Sequence, residues 1–448
     1  MNSAYAIGAS FLAVLGFVGL RVPIAFALIL GAVAGLFLVY GWYPGEAFDP
    51  EAALRPMMSV LADVPFRFVH SYELSTIPLY ILLGAVAHKS GITTDVFRSM
   101  RVLLGRMPGG LAVACIFGCG GFSALSGSSL ACAAAMGRIS IPEMIDNGYD
   151  RRLAAGTVAM GGTVGSMIPP SIPFLLFAIL AEVSVGQLLL AGILPGLLTL
   201  LGYVITVQIW VRLRPEAAPG RAVRVSGRDM LGAILGLWPA TLLFAIIAVG
   251  IFTGLFTTIQ SAAVSVIAAT LIGIARGALR LSDMYEALEE AVSQSAQLFI
   301  MAFGAKVLIT LVAASDLTSG LIGWTQHAGL EPWQIMAAII VLFLILGMFL
   351  DPSGILLLMV PITLPIVSDL GYDLIWYAVI VVKLLEIGLV TPPMGLNAFM
   401  VNASVPRSHA VDLREVFAGI APFLVLEAVV TGLLLGFPII SLLIPGMM

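Results

Sequence analysis

The chain has 448 residues, 60% of them hydrophobic and only 10% charged, with a mean hydropathy of +1.08 and a net charge of −4. Too few polar side chains exist to coat a soluble globule of this size, so composition predicts an all-α polytopic membrane protein with the lipid bilayer as its solvent. It carries no basic surplus, so no nucleic acid is expected as a partner.

Apolar segments follow in chain order at roughly 4–20, 22–40, 74–88, 111–136, 148–186 and 187–211, and again at 229–251, 256–275, 295–314, 333–360, 371–402 and 414–444. The first has no basic leader and no Ala-x-Ala cleavage site, so it is expected to stay as a membrane segment. Cys115, Cys119 and Cys132 lie in apolar sequence without histidine neighbours and read as small packing residues rather than a disulfide or metal set. The longest polar interval, 212–228 (RLRPEAAPGRAVRVSGR), reads as a linker between halves 1–223 and 224–448.

Pro142, Gly148, Tyr149, Gly165, Pro169 and Pro170 recur 223 residues later as Pro365, Gly371, Tyr372, Gly388, Pro392 and Pro393. Self-similarity at an offset close to half the chain marks an internal duplication. Each copy places a double proline inside an apolar helical run, which predicts one broken membrane helix per half, at about 148–186 and 371–402.

Basic residues set the orientation. Lys89, Arg98, Arg101, Arg106, Arg138, Arg151 and Arg152 flank 111–136 on both sides, which predicts a re-entrant hairpin with both ends in the cytoplasm. The counterpart hairpin, 333–360, is flanked by Asp316, Glu331, Asp369 and Asp373, with no Lys or Arg between Lys306 and Lys383, and is expected to open from the opposite side. The repeats are then inverted, with five full crossings per half and both termini periplasmic. Segments 74–186 and 295–402 are expected to form a mobile transport domain, and the remainder a fixed scaffold.

Proline has no N–H, so Pro169 and Pro170 are expected to leave the carbonyls of Gly165 and Ser166 without helical partners, and Pro392 and Pro393 those of Gly388 and Leu389. Free carbonyls suit a cation, and the glycine at the first position of each pair admits close approach of another backbone. The turn Ser126-Gly127-Ser128-Ser129 offers hydroxyls and the start of the next half-helix, and Asp351-Pro352-Ser353 falls opposite Ser128-Ser129-Leu130 in the repeat. A carboxylate at that depth costs about 2.5–3.5 kcal/mol unless compensated, so Asp351 is either an ion-site residue or a cap on its turn. Ser123 and Ser126 serve either packing or the site. Lys383 and Glu386, three residues apart, are expected to neutralise each other, or one of them faces the transport path. His70, His88, His327 and His409 fall at predicted membrane edges and suggest no proton relay.

The runs GGFSALSGSSLACAAAMGRISIPEMIDNGYD, GGTVGSMIPPSIPF, AGILPGLL and EIGLVTPPMGLNAF resemble the large membrane subunit, the DctM family, of tripartite ATP-independent periplasmic (TRAP) transporters, a likeness that covers nearly the whole chain. The resemblance implies an elevator-type secondary transporter that imports organic anions, commonly carboxylates, on a sodium gradient across the bacterial inner membrane. It implies two partners: a small four-helix membrane subunit, expected here as a separate polypeptide, and a periplasmic substrate-binding protein. It places the ion and substrate site on Ser126, Gly127, Ser128 and Ser129, on Gly165, Ile168, Pro169, Pro170 and Ser171, on Asp351, and on Gly388, Thr391, Pro392, Pro393, Gly395 and Asn397. Of these, Gly165, Ser128, Gly388 and Thr391 are the expected sodium ligands, and no organic cofactor is expected. Cys132 and Gln260 depart from the family pattern, which has Thr and an acidic residue there.

Three classes compete on the residues. A sodium-coupled carboxylate importer with a binding protein leads, and a stand-alone symporter of the same architecture shares its hairpins and breaks. An intramembrane enzyme is disfavoured, because no histidine or lysine is placed to activate Ser126, Ser128 or Ser129 and no metal-ligand cluster appears.

Overall fold

The computed structural model describes residues 3–42, 47–219, 226–315, 320, 323 and 329–448, and every regular element among them is helical. In hydrocarbon each backbone N–H and C=O must bond within its own segment, which only the helix allows to an unclosed chain. The first half contains α1 (Ser3–Gly19), α2 (Ile24–Gly41), α3 (Pro50–Val69), α4 (Thr76–Lys89), α5 (Ile92–Leu104), α6 (Gly110–Ser126), α7 (Ser129–Asp146), α8 (Arg151–Gly165), α9 (Ile172–Ala181), α10 (Val185–Ala191) and α11 (Ile193–Leu213). The second contains α12 (Gly227–Gly236), α13 (Trp238–Phe252), α14 (Thr258–Ala275), α15 (Leu281–Ala314), α16 (Pro332–Gly347), α17 (Pro352–Asp369), α18 (Leu374–Val390), α19 (Leu396–Ser404), α20 (Leu413–Gly436) and α21 (Ile439–Leu442). Seven described stretches are long and apolar enough to cross a membrane: 24–41, 185–213, 227–252, 258–275, 281–314, 352–369 and 413–436. Asp316, His327 and the middle of the 212–228 interval lie outside the described residues.

The 223-residue offset reappears in the element boundaries. α7 and α17 match at both ends, α8 and α18 at their starts, α9 and α19 at their ends, and α11 and α20 at their ends. The caps repeat too. Asp150 accepts from Arg152 N at 2.7 Å, and Asp373, its equivalent, accepts from Ile375 N at 2.8 Å. A short acceptor before the first turn satisfies backbone donors that no helix can satisfy internally, so both copies start this helix on the same residue type.

Three elements escape an apolar-run reading. α3 begins at Pro50 because Asp49 accepts from Glu51 N and Ala52 N, but Arg55, Asp63 and Arg67 interrupt its hydropathy. α5 is amphipathic, tied to its neighbours by Arg101–Glu143 and Arg276–Asp95 ion pairs. α15 starts fourteen residues before the expected 295, capped by Asp283 against Arg280 N at 2.8 Å. At about 1.5 Å per residue its 34 residues span about 51 Å, more than the ~30 Å hydrocarbon core, so its acidic first turns need not be apolar. Both hairpins also run past their expected ends, α7 to Asp146 and α17 to Asp369.

The halves interlock. Each hairpin's first arm packs on the broken helix of its own half, α6 on α8 and α16 on α18. Each hairpin's second arm packs on the far part of the other half's broken helix, α7 on α19 and α17 on α9. α11 and α20, expected in the scaffold, pack against α8, with α11 also on α6 and α20 also on α18. The reason is a buried polar cluster. Lys383 (α18) pairs with Glu427 (α20) at 2.5 Å and donates to Thr199 (α11) at 2.8 Å, while Tyr203 (α11) donates to Glu427 and lies 2.9 Å from Thr163 (α8). At 2% and 3% exposure, neither Lys383 nor Glu427 can be separated from its partners without a large desolvation penalty.

Candidate functional site

Each helix break is built from local hydrogen bonding. After α8, Ser171 Oγ donates back to Ser166 O at 2.5 Å and caps α9 by accepting from Phe174 N at 3.4 Å. After α18, Thr391 Oγ1 donates to Ile387 O at 2.6 Å, and Gly395 starts α19 at φ +57, with a Phe417 ring carbon 2.8 Å from where a Cβ would stand. Pro169-Pro170 and Pro392-Pro393 are both cis. The expectation of wholly free carbonyls needs correction. Gly165 O accepts from Ile168 N at 3.2 Å and Gly388 O from Thr391 N at 3.1 Å, because the chain tightens into a three-residue turn before the prolines. Each such oxygen keeps one lone pair.

The two glycines do admit a second backbone. A Cβ on Gly165 would lie 2.2 Å from Ser123 Cβ and 2.4 Å from Ala124 N, and one on Gly388 would lie 2.5 Å from Gly347 Cα. Gly347 stands 223 residues after Ala124, so both contacts are the same contact, hairpin arm against break.

At the hairpin tips, Gly127 (φ +68) closes α6 by donating to Ser123 O at 2.7 Å, and Ser128 caps α7 by accepting from Ala131 N at 3.2 Å. The equivalent position in the other half is Asp351, which caps α17 by accepting from Gly354 N at 3.0 Å. The carboxylate therefore does hold its turn together, and its second oxygen is left over.

Both tips open on one cavity of about 260 Å³. Gly127, Ser128 and Ser129 line it from the first tip and Asp351, Pro352 and Ser353 from the second; Ser166, Glu386 and Leu389 come from the broken helices and Gln294 and Gln297 from α15. Two carboxylates line this cavity and no basic side chain does. Glu386, 3% exposed, accepts from Ser129 Oγ at 3.5 Å through one oxygen and has the Ser166 side chain beside it, while its other oxygen meets no donor in full hydrogen-bond geometry among the described residues. The expected Lys383–Glu386 neutralisation does not form, since Glu427 and Thr199 take the ammonium. Glu386 was expected either to neutralise Lys383 or to face the transport path, and it lines the cavity; Ser166 was expected only through its carbonyl, and Gln294 and Gln297 were not singled out. Only the two glutamines carried a local signal, being polar residues three apart in an apolar helix.

The other expected residues lie apart from this cavity. Ile168, Pro169 and Pro170 line a separate apolar groove of about 360 Å³ between α6, α11 and α13. Pro392 and Pro393 are exposed, whereas Pro169 and Pro170 are buried, so the two breaks meet different surroundings. Ser126 Oγ stays within its own turn, 3.4 Å from Ser128 N. Asn397 donates to Ala159 O at 3.4 Å, and among the described residues its buried Oδ1 has no hydrogen-bond partner, nor has Ser123 Oγ beside Gly165. Cys115, Cys119 and Cys132 are free and buried. Gln260 completes a capping box with Thr257 at the start of α14, the work an acidic residue would do there.

Residues 11–440 match the family model described as the tripartite ATP-independent periplasmic transporter, DctM component. The chain is 34% identical over 383 residues to the C4-dicarboxylate TRAP transporter large permease protein DctM of Pseudomonas aeruginosa, covering 85% of this chain and 88% of that one. It is 30% identical over 432 residues to the sialic acid TRAP transporter large permease protein SiaM of Vibrio cholerae, covering 96% of both. Its fold matches the crystal structure of the Alcanivorax borkumensis YdaH transporter with a TM-score of 0.63 over 96% of this chain and 99% of that one, at 14% identity. A match across the whole membrane body, with the paired hairpins and broken helices in place, makes this chain a multi-pass membrane protein of the DctM family of TRAP transporter large permeases, a family of transport proteins and not of enzymes.

Proposed function

We propose that the chain imports an organic anion, driven by sodium, as the large subunit of a three-part system in the bacterial inner membrane. A periplasmic binding protein delivers the substrate and a small membrane subunit completes the translocating unit. The relatives named for C4-dicarboxylates and sialic acid support a carboxylate as the substrate class. Both repeats being inverted, the termini face the periplasm, in line with the basic residues on the opposite side.

The observation that carries the sodium reading is the shared cavity. Among the described residues two carboxylates line it without a basic partner, and one buried oxygen each of Glu386, Ser123 and Asn397 around the breaks lacks a hydrogen-bond partner. Buried oxygens in that state cost free energy unless a cation meets them. An anionic substrate entering beside the carboxyl groups of Asp351 and Glu386 is favoured by cations bound there first, which makes sodium binding a precondition of substrate binding. The remaining lone pairs on the carbonyls of Gly165 and Gly388, with Ser128 and Thr391, are the proposed ligands.

The test is reconstitution. The chain, its small subunit and its binding protein in liposomes should take up the anion only with an inward sodium gradient, and without ATP. Uptake that persists with no sodium on either side overturns the sodium reading. Uptake by the chain alone overturns the three-part reading.

A further inference from the structure

A groove of about 650 Å³ runs between α11 and α20, on the face these helices turn away from the hairpins. Its walls are apolar and outward-facing: Ile205, Ile209, Val425 and Val429 are each more than half exposed. One end is cationic. Arg152 and Arg214 line it there, both exposed, and neither makes an ion pair or a side-chain hydrogen bond among the described residues. Of the acids near this end, Asp150 accepts from Arg152 N, Asp412 from Arg414 N, and Glu415 from Asp412 N, while Glu216, two residues after Arg214, is exposed and does not line the groove.

The groove's length has a natural match. α11 and α20 run antiparallel, with Gly202 against Leu426 and Trp210 near Phe423, so both helices bring their polar ends to the arginines. Along α20 the lining runs from Ala418 to Val429, about 16 Å at about 1.5 Å per residue. Half of a ~30 Å hydrocarbon core is about 15 Å. The groove is therefore about as long as one leaflet's hydrocarbon is thick, the length of one lipid's acyl region, with its charged end where a headgroup would follow. Paired guanidinium groups bind phosphate through directed, charge-assisted hydrogen bonds. Arg214 itself belongs to the basic 212–228 interval, which the sequence assigns to the cytoplasmic side by charge.

We propose that this groove binds one anionic phospholipid of the cytoplasmic leaflet, its headgroup held by Arg152 and Arg214 and its acyl chains lying between α11 and α20. The groove beside Pro169 and Pro170 makes the contrast: it is as apolar, but no charged residue lines it, so it offers no preference for one headgroup over another. Because α11 and α20 are tied to α8 and α18 by the Lys383 cluster, the lipid is held by the same body as both helix breaks.

The experiment is native mass spectrometry on the purified full chain after exchange into equimolar phosphatidylglycerol and phosphatidylethanolamine, with thermal unfolding alongside. The wild-type chain should retain phosphatidylglycerol about thirtyfold over phosphatidylethanolamine, given about 1 kcal/mol of attraction for each of the two arginines. It should also gain thermal stability with the anionic lipid only. Arg152→Gln with Arg214→Gln should lose both effects, whereas Arg152→Lys with Arg214→Lys should keep most of the preference, and Arg407→Gln, a change elsewhere, should keep all of it. Ile209→Trp, which fills the groove and leaves the arginines, should also lose the bound lipid. Equal retention of the two lipids by the wild type, or a preference that survives both the double glutamine and the tryptophan variants, overturns the proposal. So does protection of a cysteine at position 209 by the small subunit, which would make the groove a protein interface.

Discussion

Glu386 and Lys383 stand one turn apart on α18, yet their side chains serve different purposes, because a lysine at that depth follows the strongest acceptor set and Glu427, Thr199 and Tyr203 supply it. Two predictions follow at this scale. Glu386→Gln keeps the size and hydrogen-bonding shape but removes the charge facing the shared cavity, so the sodium concentration for half-maximal uptake should rise about tenfold, about 1.4 kcal/mol of lost attraction. Sodium titration of uptake and of thermal stabilisation reads it, and unchanged values in both would place the cation elsewhere. Lys383→Met strands Glu427 in a dry interior and should cost about 3–5 kcal/mol of stability. Adding Glu427→Leu should recover more than half of that in thermal unfolding, since an apolar pair leaves no buried charge; no recovery would mean that the lysine stem, not the ion pair, holds the helices.

Among the elements, the contact between a hairpin arm and a helix break is the repeated unit. Gly165 and Gly388 have no room for a Cβ, the obstacles being backbone atoms or a short serine rather than a flexible side-chain tip. Replacing either with Val should push its hairpin off the break and turn the neighbouring carbonyls away from any ion. Sodium affinity should therefore fall in both variants by similar factors, with smaller losses of expression. Sodium-dependent uptake at matched protein levels decides it, and normal half-saturation in both variants would reduce these glycines to packing. The equivalence holds for the glycines only. Pro169 and Pro170 are buried and Pro392 and Pro393 exposed, so exchanging the prolines should affect the two halves unequally.

On the scale of the whole molecule, the interlock of α7 with α19 and α17 with α9, together with the Lys383 cluster, joins the hairpins and breaks to α11 and α20. A mobile unit is expected to include α11 and α20 and to slide against α1, α2, α3, α13 and α14. Cysteine pairs across that boundary should cross-link in more than one vertical pairing, and locking any one of them should stop uptake. A single permitted pairing whose locking leaves uptake intact would rule out such a sliding movement.

Lipid solvation, the duplication and the paired breaks were legible in the sequence because each rests on local chemistry: hydropathy sums over a segment, proline lacks a donor, and a repeated spacing needs no knowledge of packing. The capped starts of α8 and α18 were equally local, an aspartate in each copy. The amphipathic α3, α5 and early α15 were not legible as apolar runs, since half-polar helices dilute the hydropathy signal. Tertiary structure alone decided which charge meets which, because Lys383 and Glu427 are 44 positions apart and their pairing depends on how α18 and α20 face each other. It also decided that both hairpin tips share a single cavity with Glu386, a convergence set by helices crossing between halves, which no spacing along the chain records.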